Sequence, residues 1–395
     1  MPAKTAKKSE KAKSSSKPTK TASKTTKTAN KPVETKTTNT TKKATEKKPT
    51  ETKVEKNTPL RVAINGFGRI GRLAFRELYY NIIEGEENIE IVAINDLTDE
   101  KTLAYLLLFD TSQGPFLSKD DISYTDGYLV VDNRKIQVFK EKDPSKLPWK
   151  KLGIDLVIES TGFFTSKEKA QNHIKAGAKK VIVSAPSSDL KTIVYNVNHE
   201  TLTQKDTLIS AASCTTNCLA PVIKVLNDNF KINWGFMSTV HSVTNDQRIL
   251  DLPHSDLRRG RSGLANIIPT TTGAAKAIGL VIPELNGKMN GIALRVPTIS
   301  GSICDITVEV TKKVSKDDVN NAIKKAQNDT LFFCDEEIVS SDVIGSSFGS
   351  IFDGGFTSCY QNDKNKTIIK VLSWYDNENS YVCQMIRTLL HFIKI

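Results

Sequence analysis

The sequence predicts an α/β protein with two folded parts: a doubly wound parallel sheet, followed by an α+β part whose sheet is mostly antiparallel. In the first part, short apolar runs of strand length alternate with helical stretches, an order typical of parallel sheets. In the second part, longer runs alternate apolar and polar residues, a pattern typical of antiparallel strands that cover a core on one face. A third feature is a Lys-rich segment at the N-terminus that has neither pattern.

The first part is expected to span residues 58–212. It opens with a buried strand at 60–64, a Gly-rich turn at 65–72 and a helical stretch at 73–80. Later strands are predicted at 89–94, 136–139, 156–159 and 181–183. A helix is predicted at 166–176, between the last two of these strands. The alternation predicts parallel strands with crossover helices.

The second part is expected to span residues 213–375. It begins with an apolar helical run at 219–226, and its long strands are predicted at 234–243, 290–296, 302–310 and 368–375. Residues after 376 form a helical pattern with Tyr381, Met385, Leu389 and Phe392 on one side.

Residues 1–57 account for the whole formal net charge of +12. They contain 17 Lys, no Arg, five Glu and no Asp, whereas the other 338 residues carry 39 basic and 39 acidic side chains. This segment has no aromatic residue, so it cannot bury enough apolar surface to offset its ordering entropy, and we predict that it is disordered. A transit peptide is less favoured, because the segment is neither Arg-rich nor amphipathic.

Composition excludes several classes of protein. Apolar runs stay far below the roughly 18 residues of a membrane span, and the N-terminus lacks the apolar core of a secretory signal. Six cysteines without a regular spacing fit a reducing compartment better than a disulfide scaffold. We therefore expect a cytoplasmic protein without membrane insertion.

The turn at 65–72 matches G-x-G-x-x-G in full, through Gly66, Gly68 and Gly71. It follows a strand and opens a helix, and Asp96 ends the next strand 25 positions later. In dinucleotide-binding Rossmann domains such glycines allow a sharp turn and close approach of backbone to pyrophosphate, while the acidic residue bonds the ribose. We expect NAD here, because a carboxylate repels the 2′-phosphate of NADP; the alternative is that Asp96 is only a loop carboxylate.

Cys214 lies in the stretch SCTTN, directly before the apolar helical run. With Pro221 in the first turn of that run, Cys214 is expected at a helix N-terminus, where positive partial charge lowers a thiol pKa. No second Cys/His cluster completes a metal site, so no metal is expected. A buried inert cysteine is the commoner alternative. His241, at the end of a strand in the same part, is the candidate base for an activated thiol.

Seven motifs resemble, in order and spacing, those of phosphorylating glyceraldehyde-3-phosphate dehydrogenases. They are NGFGRIGR (65–72), STGFF (160–164), SCTTNC (213–218), HSVT (241–244), NIIPTTTGA (266–274), RVPT (295–298) and SWYDNE (373–378). The resemblance covers the chain from about residue 59 onward. It implies a Rossmann domain closed by a C-terminal helix at 376–395, together with a catalytic domain on an antiparallel sheet.

The resemblance also implies a reaction and the residues that carry it. Cys214 attacks the aldehyde of glyceraldehyde 3-phosphate, His241 accepts the proton, and inorganic phosphate cleaves the resulting thioester to give 1,3-bisphosphoglycerate. The implied pocket for the substrate's phosphate contains Thr244 and Arg295. The implied site of the attacking phosphate contains Ser213, Thr215, Thr272 and Gly273, with Arg259 matched less securely, because Arg258 and Arg261 are close to it in the chain.

For the cofactor, the resemblance implies NAD contacts from Asn65, Gly66, Gly68, Arg69, Ile70, Gly71, Asp96, Lys142, Ser184 and Asn377. Lys142 departs from the arginine of many members, which weakens its match to the adenine contact. Family members are homotetramers, and a homotetramer is expected. A dehydrogenase for erythrose 4-phosphate is the alternative enzyme. For residues 1–57, a segment without a partner is favoured over one that binds polyanions weakly through its lysines.

Overall fold

A computed structural model describes residues 58–361 and 366–395. The disorder predicted for residues 1–57 therefore concerns residues outside the described part of the chain. Within that part, the helices are α1 Arg69–Ile83, α2 Glu100–Leu108, α3 Trp149–Leu152, α4 Lys167–Lys175, α5 Cys214–Phe230, α6 Ala274–Val281, α7 Lys316–Lys325 and α8 Asn379–Lys394. Among these residues, no helix combines the length and the apolar character that a bilayer crossing requires.

The first sheet has nine strands in the described residues: β1 Leu60–Asn65, β2 Ile89–Asn95, β3 Ile122–Thr125, β4 Tyr128–Val131, β5 Arg134–Phe139, β6 Leu156–Glu159, β7 Lys180–Val183, β8 Lys191–Thr192 and β9 Leu208–Ser210. Their order is β3-β4-β5-β2-β1-β6-β7-β9-β8. The last seven strands in this order, which are β5, β2, β1, β6, β7, β9 and β8, all pair in parallel, as predicted. The antiparallel strands β3 and β4 at one edge were not predicted, because each is only four residues long and partly exposed.

The second sheet has seven strands in the described residues: β10 Ile232–Ser242, β11 Ile268–Thr271, β12 Met289–Val296, β13 Ser302–Val310, β14 Leu331–Cys334, β15 Ser350–Gln361 and β16 Thr367–Tyr375. The order is β11-β12-β10-β13-β16-β15-β14. Four of the six pairings are antiparallel, and two, β10 with β12 and β14 with β15, are parallel. The predicted fold class, a Rossmann sheet followed by a mostly antiparallel sheet, is confirmed for the described residues.

The described residues form four apolar clusters, and the two largest hold helices against the two sheets. The first lies under α1 and β1 and also contains Tyr381, Met385, Leu389 and Phe392 of α8, so the last helix of the chain packs on the first sheet. The second lies between α5 and the second sheet and includes Leu219, Ile223 and Leu226. Burial of such side chains contributes about 1.5–3 kcal/mol each. Both ends of the described chain lie near the loop that follows α1, where Leu60 N donates to the Asn88 carbonyl oxygen at 2.9 Å and Lys394 Nζ pairs with Glu87 at 2.6 Å.

Candidate active site

The turn between β1 and α1 has the backbone geometry that its glycines allow. Gly66 has φ +91°, and a Cβ there would lie 2.7 Å from the Thr161 nitrogen. At Gly71 a Cβ would meet the Gly66 oxygen at 2.1 Å, so only glycine lets the helix pack this closely. Gly68 caps α1 and has open space beside it, which leaves the N-terminus of the helix accessible to an anion. The sequence predicted a helix from residue 73, but α1 begins at Arg69, directly at this turn.

Asp96 lies just after β2 and holds the turn through backbone contacts. Its carboxylate accepts hydrogen bonds from the Phe67 nitrogen at 2.7 Å and from the Thr98 nitrogen at 3.0 Å. These contacts orient the carboxylate at the rim of a cleft of about 510 Å³. The cleft is lined by Asn65, Gly66, Gly68, Asn95, Asp96, Leu97, Glu141, Lys142, Ser160, Thr161, Phe163 and Phe164. Asp96 and Lys142 therefore face the same space, as a shared cofactor contact requires.

Three apolar side chains of this cleft, Leu97, Phe163 and Phe164, were given no role by the sequence analysis. Leu97 is 59% exposed and Phe163 is 74% exposed, although both are large and apolar. Exposed apolar groups on facing loops are typical of a surface that a flat ring covers. The signal in the sequence was their position, since each follows the carboxyl end of a parallel strand.

A buried polar network lies under the turn. Glu159, at the end of β6, is 1% exposed and accepts hydrogen bonds from Asn65 Nδ2 at 2.5 Å and Thr161 N at 2.8 Å. His173 Nε2 lies 2.9 Å from the same carboxylate, and Trp149 Nε1 donates to His173 Nδ1 at 3.0 Å. Because the indole N–H can only donate, the neutral imidazole carries its proton on Nε2 and donates it to Glu159. Asn65 is thereby fixed from below.

Cys214 is the first residue of α5, and a tight turn presents it. Ala212 adopts a positive φ of 61°, and the Ser213 hydroxyl accepts a hydrogen bond from the Thr216 nitrogen at 3.1 Å, which caps the helix. The helix N-terminus predicted for Cys214 is thus present. Pro221 lies inside the helix rather than in its first turn, because the helix starts earlier than the apolar run.

The thiol meets an imidazole. Cys214 Sγ lies 3.4 Å from His241 Nε2, although 27 residues separate the two in the sequence. His241 is 4% exposed, and its ring packs edge-on against Tyr375 at a centroid distance of 6.0 Å. The Tyr375 hydroxyl bridges Thr215 Oγ1 at 2.9 Å and Thr239 Oγ1 at 2.8 Å, so it ties α5 to the strand that carries His241.

The electrostatics of this pair differ from the sequence prediction. Burial raises the pKa of the Cys214 thiol, and the smaller opposing effects of Arg295 and Thr215 do not reverse that shift. The expected lowering by the helix N-terminus was therefore wrong in direction: burial in the folded chain outweighs it. Burial, followed by the positive charge of Arg295, lowers the pKa of His241 to about 3. The imidazole is thus neutral near pH 7 and can accept a proton.

Arg295 stands on the other side of the imidazole. Arg295 and His241 are register partners on the parallel strands β12 and β10, and Arg295 Nη1 lies 2.8 Å from His241 Nδ1. The same nitrogen of His241 lies 2.7 Å from the Ser242 carbonyl oxygen. These two contacts at Nδ1 exclude each other, because a guanidinium can only donate and a carbonyl oxygen can only accept. When Nδ1 carries the proton and donates it to this carbonyl, Nε2 is left as an acceptor toward the thiol, and Arg295 Nη1 donates instead to the Ser242 carbonyl oxygen, which lies 3.2 Å away.

Cys214, His241 and Arg295 open into a cleft of about 790 Å³. Thr244, Asn377, Arg69 and Ile70 also line it, so five predicted cofactor or substrate residues share one space with the thiol–imidazole pair. Residues of this lining that the sequence analysis missed are Thr111, Ser112, Val243, Asn245, Gln247, Arg248, Ile249, Gly263, Leu264, Ile299 and Glu378.

Several predicted residues lie outside the linings of both clefts. Thr215 is buried against Tyr375, and Thr272, just before the N-cap residue of α6, accepts a hydrogen bond from the Ala274 nitrogen at 3.2 Å. Arg259 Nη1 bonds Asp246 at 2.6 Å and its Nε bonds Thr270 at 2.8 Å. Ser213, Gly273 and Ser184 likewise do not line either cleft. The roles of these residues remain predictions.

The thiol at this site is free, as are the other cysteine thiols of the chain. All six cysteines are unpaired by disulfides. Among residues 58–361 and 366–395, no group of three or more His, Cys, Asp or Glu side chains is arranged to hold a metal ion. A neutral imidazole touching a thiol beside an arginine can support nucleophilic attack on a carbonyl and proton removal from the adduct.

Comparison with known proteins assigns both halves of the chain. Residues 60–167 match the family model "Glyceraldehyde 3-phosphate dehydrogenase, NAD binding domain", and residues 213–377 match the corresponding C-terminal domain. The chain is similar to proteins named glyceraldehyde-3-phosphate dehydrogenase from Mycoplasma pneumoniae, with 55% identity, and from Clostridium pasteurianum, with 54% identity. A third, from Streptococcus pyogenes, is 51% identical. The matches cover 85–86% of this chain and 99% of each relative.

Proposed function

The chain belongs to the glyceraldehyde-3-phosphate dehydrogenase family, and from that premise we propose that it oxidises its substrate by the phosphorylating route. It is an NAD-dependent oxidoreductase that acts on glyceraldehyde 3-phosphate in glycolysis. The proposed product is 1,3-bisphosphoglycerate, formed from an acyl group carried on Cys214. The single observation that carries the proposal is the 3.4 Å contact between Cys214 Sγ and His241 Nε2 at the wall of an open cleft.

The first proposed step is attack by sulfur. Cys214 adds to the aldehyde carbon to form a thiohemiacetal, and the thiol proton moves through His241 Nε2 to the new oxygen. The raised pKa of the thiol makes this base necessary, because little thiolate forms near pH 7 without a proton acceptor.

The second proposed step is oxidation of the thiohemiacetal to a thioester. His241 Nε2 takes the hydroxyl proton while the carbon loses its hydride, and the C–O bond becomes a carbonyl. Bound NAD supplies the chemistry of hydride acceptance. Because the pKa of His241 is strongly lowered, the imidazole does not keep the proton that it took from the thiol. It is therefore neutral again when the hydroxyl proton must be removed.

The third proposed step is phosphorolysis, in which a phosphate oxygen attacks the thioester carbon and the Cys214 thiolate leaves. We propose that Arg295 and Thr244 bind the substrate's own phosphate, supported by their position in the cleft beside Cys214. For the attacking phosphate we propose Ser213, Thr215, Thr272, Gly273 and Arg259. The Arg259 guanidinium now bonds Asp246 and Thr270, and its proposed role requires it to give up these contacts when it binds phosphate.

The residues around the Gly-rich turn fit NAD. We propose that the backbone at Gly68, Arg69 and Ile70 bonds the pyrophosphate, which is supported by the open space at Gly68 and the free helix N-terminus behind it. We propose that Asp96 bonds the adenosine ribose beside Asn65, Gly66, Gly71 and Lys142. Ser184 and Asn377 are proposed for the nicotinamide side, with Asn377 supported by its place in the cleft of Cys214.

The experiment that tests the proposed function is NAD reduction with glyceraldehyde 3-phosphate in the presence and absence of inorganic phosphate. Steady turnover is expected only with phosphate, since the thioester otherwise stays on Cys214 after one turnover per site. Equal steady rates without phosphate would contradict the phosphorylating route. Erythrose 4-phosphate is assayed in parallel, and higher kcat/KM on that aldehyde would favour the alternative enzyme.

We further propose a division into residues 58–212, 213–375 and a closing helix at 376–395, supported by the packing of α8 on the first core. We also propose a homotetramer. Support comes from the segment between β10 and β11, which exposes Ile249, Leu250, Leu252, Leu257, Leu264 and Ile267 to solvent. Light scattering should give about four times the chain mass of 43.6 kDa. A stable monomer would contradict the tetramer.

For residues 1–57 we propose no partner, and weak polyanion binding is the alternative. Support comes from the relatives, which are matched over 99% of their length by only 85–86% of this chain. Deletion of residues 1–57 should leave kcat/KM unchanged. Binding of double-stranded DNA, measured at about 50 and 200 mM salt, should be negligible for the full chain; salt-sensitive binding that the deletion removes would favour the alternative.

A cytoplasmic location is also proposed. It is supported by the six free thiols, which suit a reducing compartment. Cell fractionation tests it.

A further inference from the structure

The loop that carries Asn377 is held from below by a set of buried hydroxyl and carboxylate groups. Asp376 is fully buried and accepts hydrogen bonds from Ser300 Oγ at 2.8 Å, Gln113 Nε2 at 2.9 Å and Gly345 N at 2.8 Å. It also accepts a hydrogen bond from the Glu378 nitrogen at 2.8 Å. Because Asp376 precedes Asn377 and Glu378 follows it, this bond holds the backbone on both sides of Asn377. This loop is therefore fixed before any ligand binds.

One further contact determines which way the Asn377 amide faces. Ser302 Oγ lies 2.9 Å from Asn377 Oδ1 and 3.1 Å from the backbone nitrogen of Ser242. A backbone N–H can only donate, so Ser242 occupies a lone pair of the Ser302 hydroxyl. That hydroxyl then directs its own proton to Asn377 Oδ1. Hydrogen bonds are thus donated in one direction: Ser242 N–H donates to the Ser302 hydroxyl, and the Ser302 hydroxyl donates to the Asn377 amide oxygen.

The consequence is a donor that faces the cleft. With Oδ1 engaged by Ser302, the Asn377 Nδ2 group is left toward the cleft that Cys214 and His241 line. A flipped amide would put N–H groups against Ser302 and leave the Ser302 proton without that acceptor. Ser300 does not compete for the role, because its hydroxyl is nearer to Asp376, at 2.8 Å, than to Asn377 Oδ1, at 3.4 Å.

We propose that Ser302 is a positioning residue that sets the Asn377 amide so that it donates to the carboxamide oxygen of the nicotinamide. The inference rests on the proposed placement of the nicotinamide beside Asn377. Since Ser302 also bonds the residue after His241, it fixes the amide in register with the catalytic base. Ser302 itself is 1% exposed and touches no reacting atom.

The test compares the affinities of two ligands by titration calorimetry. NAD carries the nicotinamide, and ADP-ribose has the same adenosine and pyrophosphate without that ring. Ser302→Ala should weaken NAD binding about tenfold, which corresponds to the loss of one oriented hydrogen bond, and leave ADP-ribose binding within about twofold of wild type. A purely structural defect would weaken both ligands.

The matched control is Ser350→Ala. Ser350 is also fully buried on the second sheet, and its hydroxyl pairs with Ser373 at 2.7 Å, away from both clefts. It should bind both ligands as wild type does. Ser302→Cys, which keeps the volume and a weak donor, should give an intermediate loss for NAD and keeps the test valid if the alanine variant does not fold.

Two results would overturn the inference: unchanged NAD affinity in both Ser302 variants, or an equal loss of ADP-ribose affinity. Neither result depends on phosphorolysis, because no turnover is measured. A failure of the phosphorylating route would appear instead in the wild-type chain, as phosphate-independent NAD reduction.

Discussion

Replacing Cys214 by serine is expected to lower kcat at least about 10³-fold while NAD still binds. The hydroxyl is a far weaker nucleophile than sulfur, and it forms an ester in place of the energy-rich thioester. His241, at 3.4 Å from the sulfur, cannot compensate, because the serine hydroxyl is a much weaker acid than the thiol and does not give up its proton before attack. The measurements are steady-state NAD reduction with phosphate present and NAD affinity by calorimetry.

The chain provides a close control for this prediction in Cys218. It lies one helical turn further along α5, is fully buried, and its sulfur faces the Ser373 carbonyl oxygen at 3.6 Å rather than the cleft. Cys218→Ser should therefore keep kcat within a few-fold. If Cys214→Ser retains more than about a tenth of wild-type kcat, the proposed nucleophile is wrong. If both variants lose activity equally, the loss comes from damage to α5.

Features set by short stretches of chain were predictable. The Gly-rich turn and Asp96 lie within about 30 residues, and each glycine has a local geometric reason. The start of α5 was also predictable, because Ser213 can cap a helix that an apolar run continues. In both cases the residues that determine the local geometry lie close together in the sequence, so the sequence alone is enough to predict it.

Features that depend on sheet register were not predictable. Arg295 and His241 are neighbours only because β12 and β10 pair in parallel with one particular register, and no turn connects these strands directly. The same holds for Ser302 and Asn377, 75 residues apart. β15 was missed because Gly354 and Gly355 interrupt its alternation, where its pairing with β16 shifts register.

The wrong direction predicted for the Cys214 pKa has the same origin. A helix terminus is visible in the sequence, whereas the burial that opposes it comes from residues far away in the chain. Burial acts on both partners of the pair, since it disfavours the charged thiolate and the charged imidazolium alike. The site therefore keeps a neutral pair in contact, and the role of His241 in moving protons becomes a prediction of its own.

Replacing His241 by asparagine is expected to lower kcat by about 10²–10⁴-fold. Asparagine fills part of the space but cannot accept the thiol proton or the hydroxyl proton of the thiohemiacetal. Oxidation then becomes the slow step, so aldehyde deuterated at carbon 1 should give a larger isotope effect on kcat than in wild type. His391, near the end of α8 and outside both clefts, is the control, and His391→Asn should leave kcat and the isotope effect unchanged. A His241→Asn variant within tenfold of wild-type kcat would show that another group moves these protons.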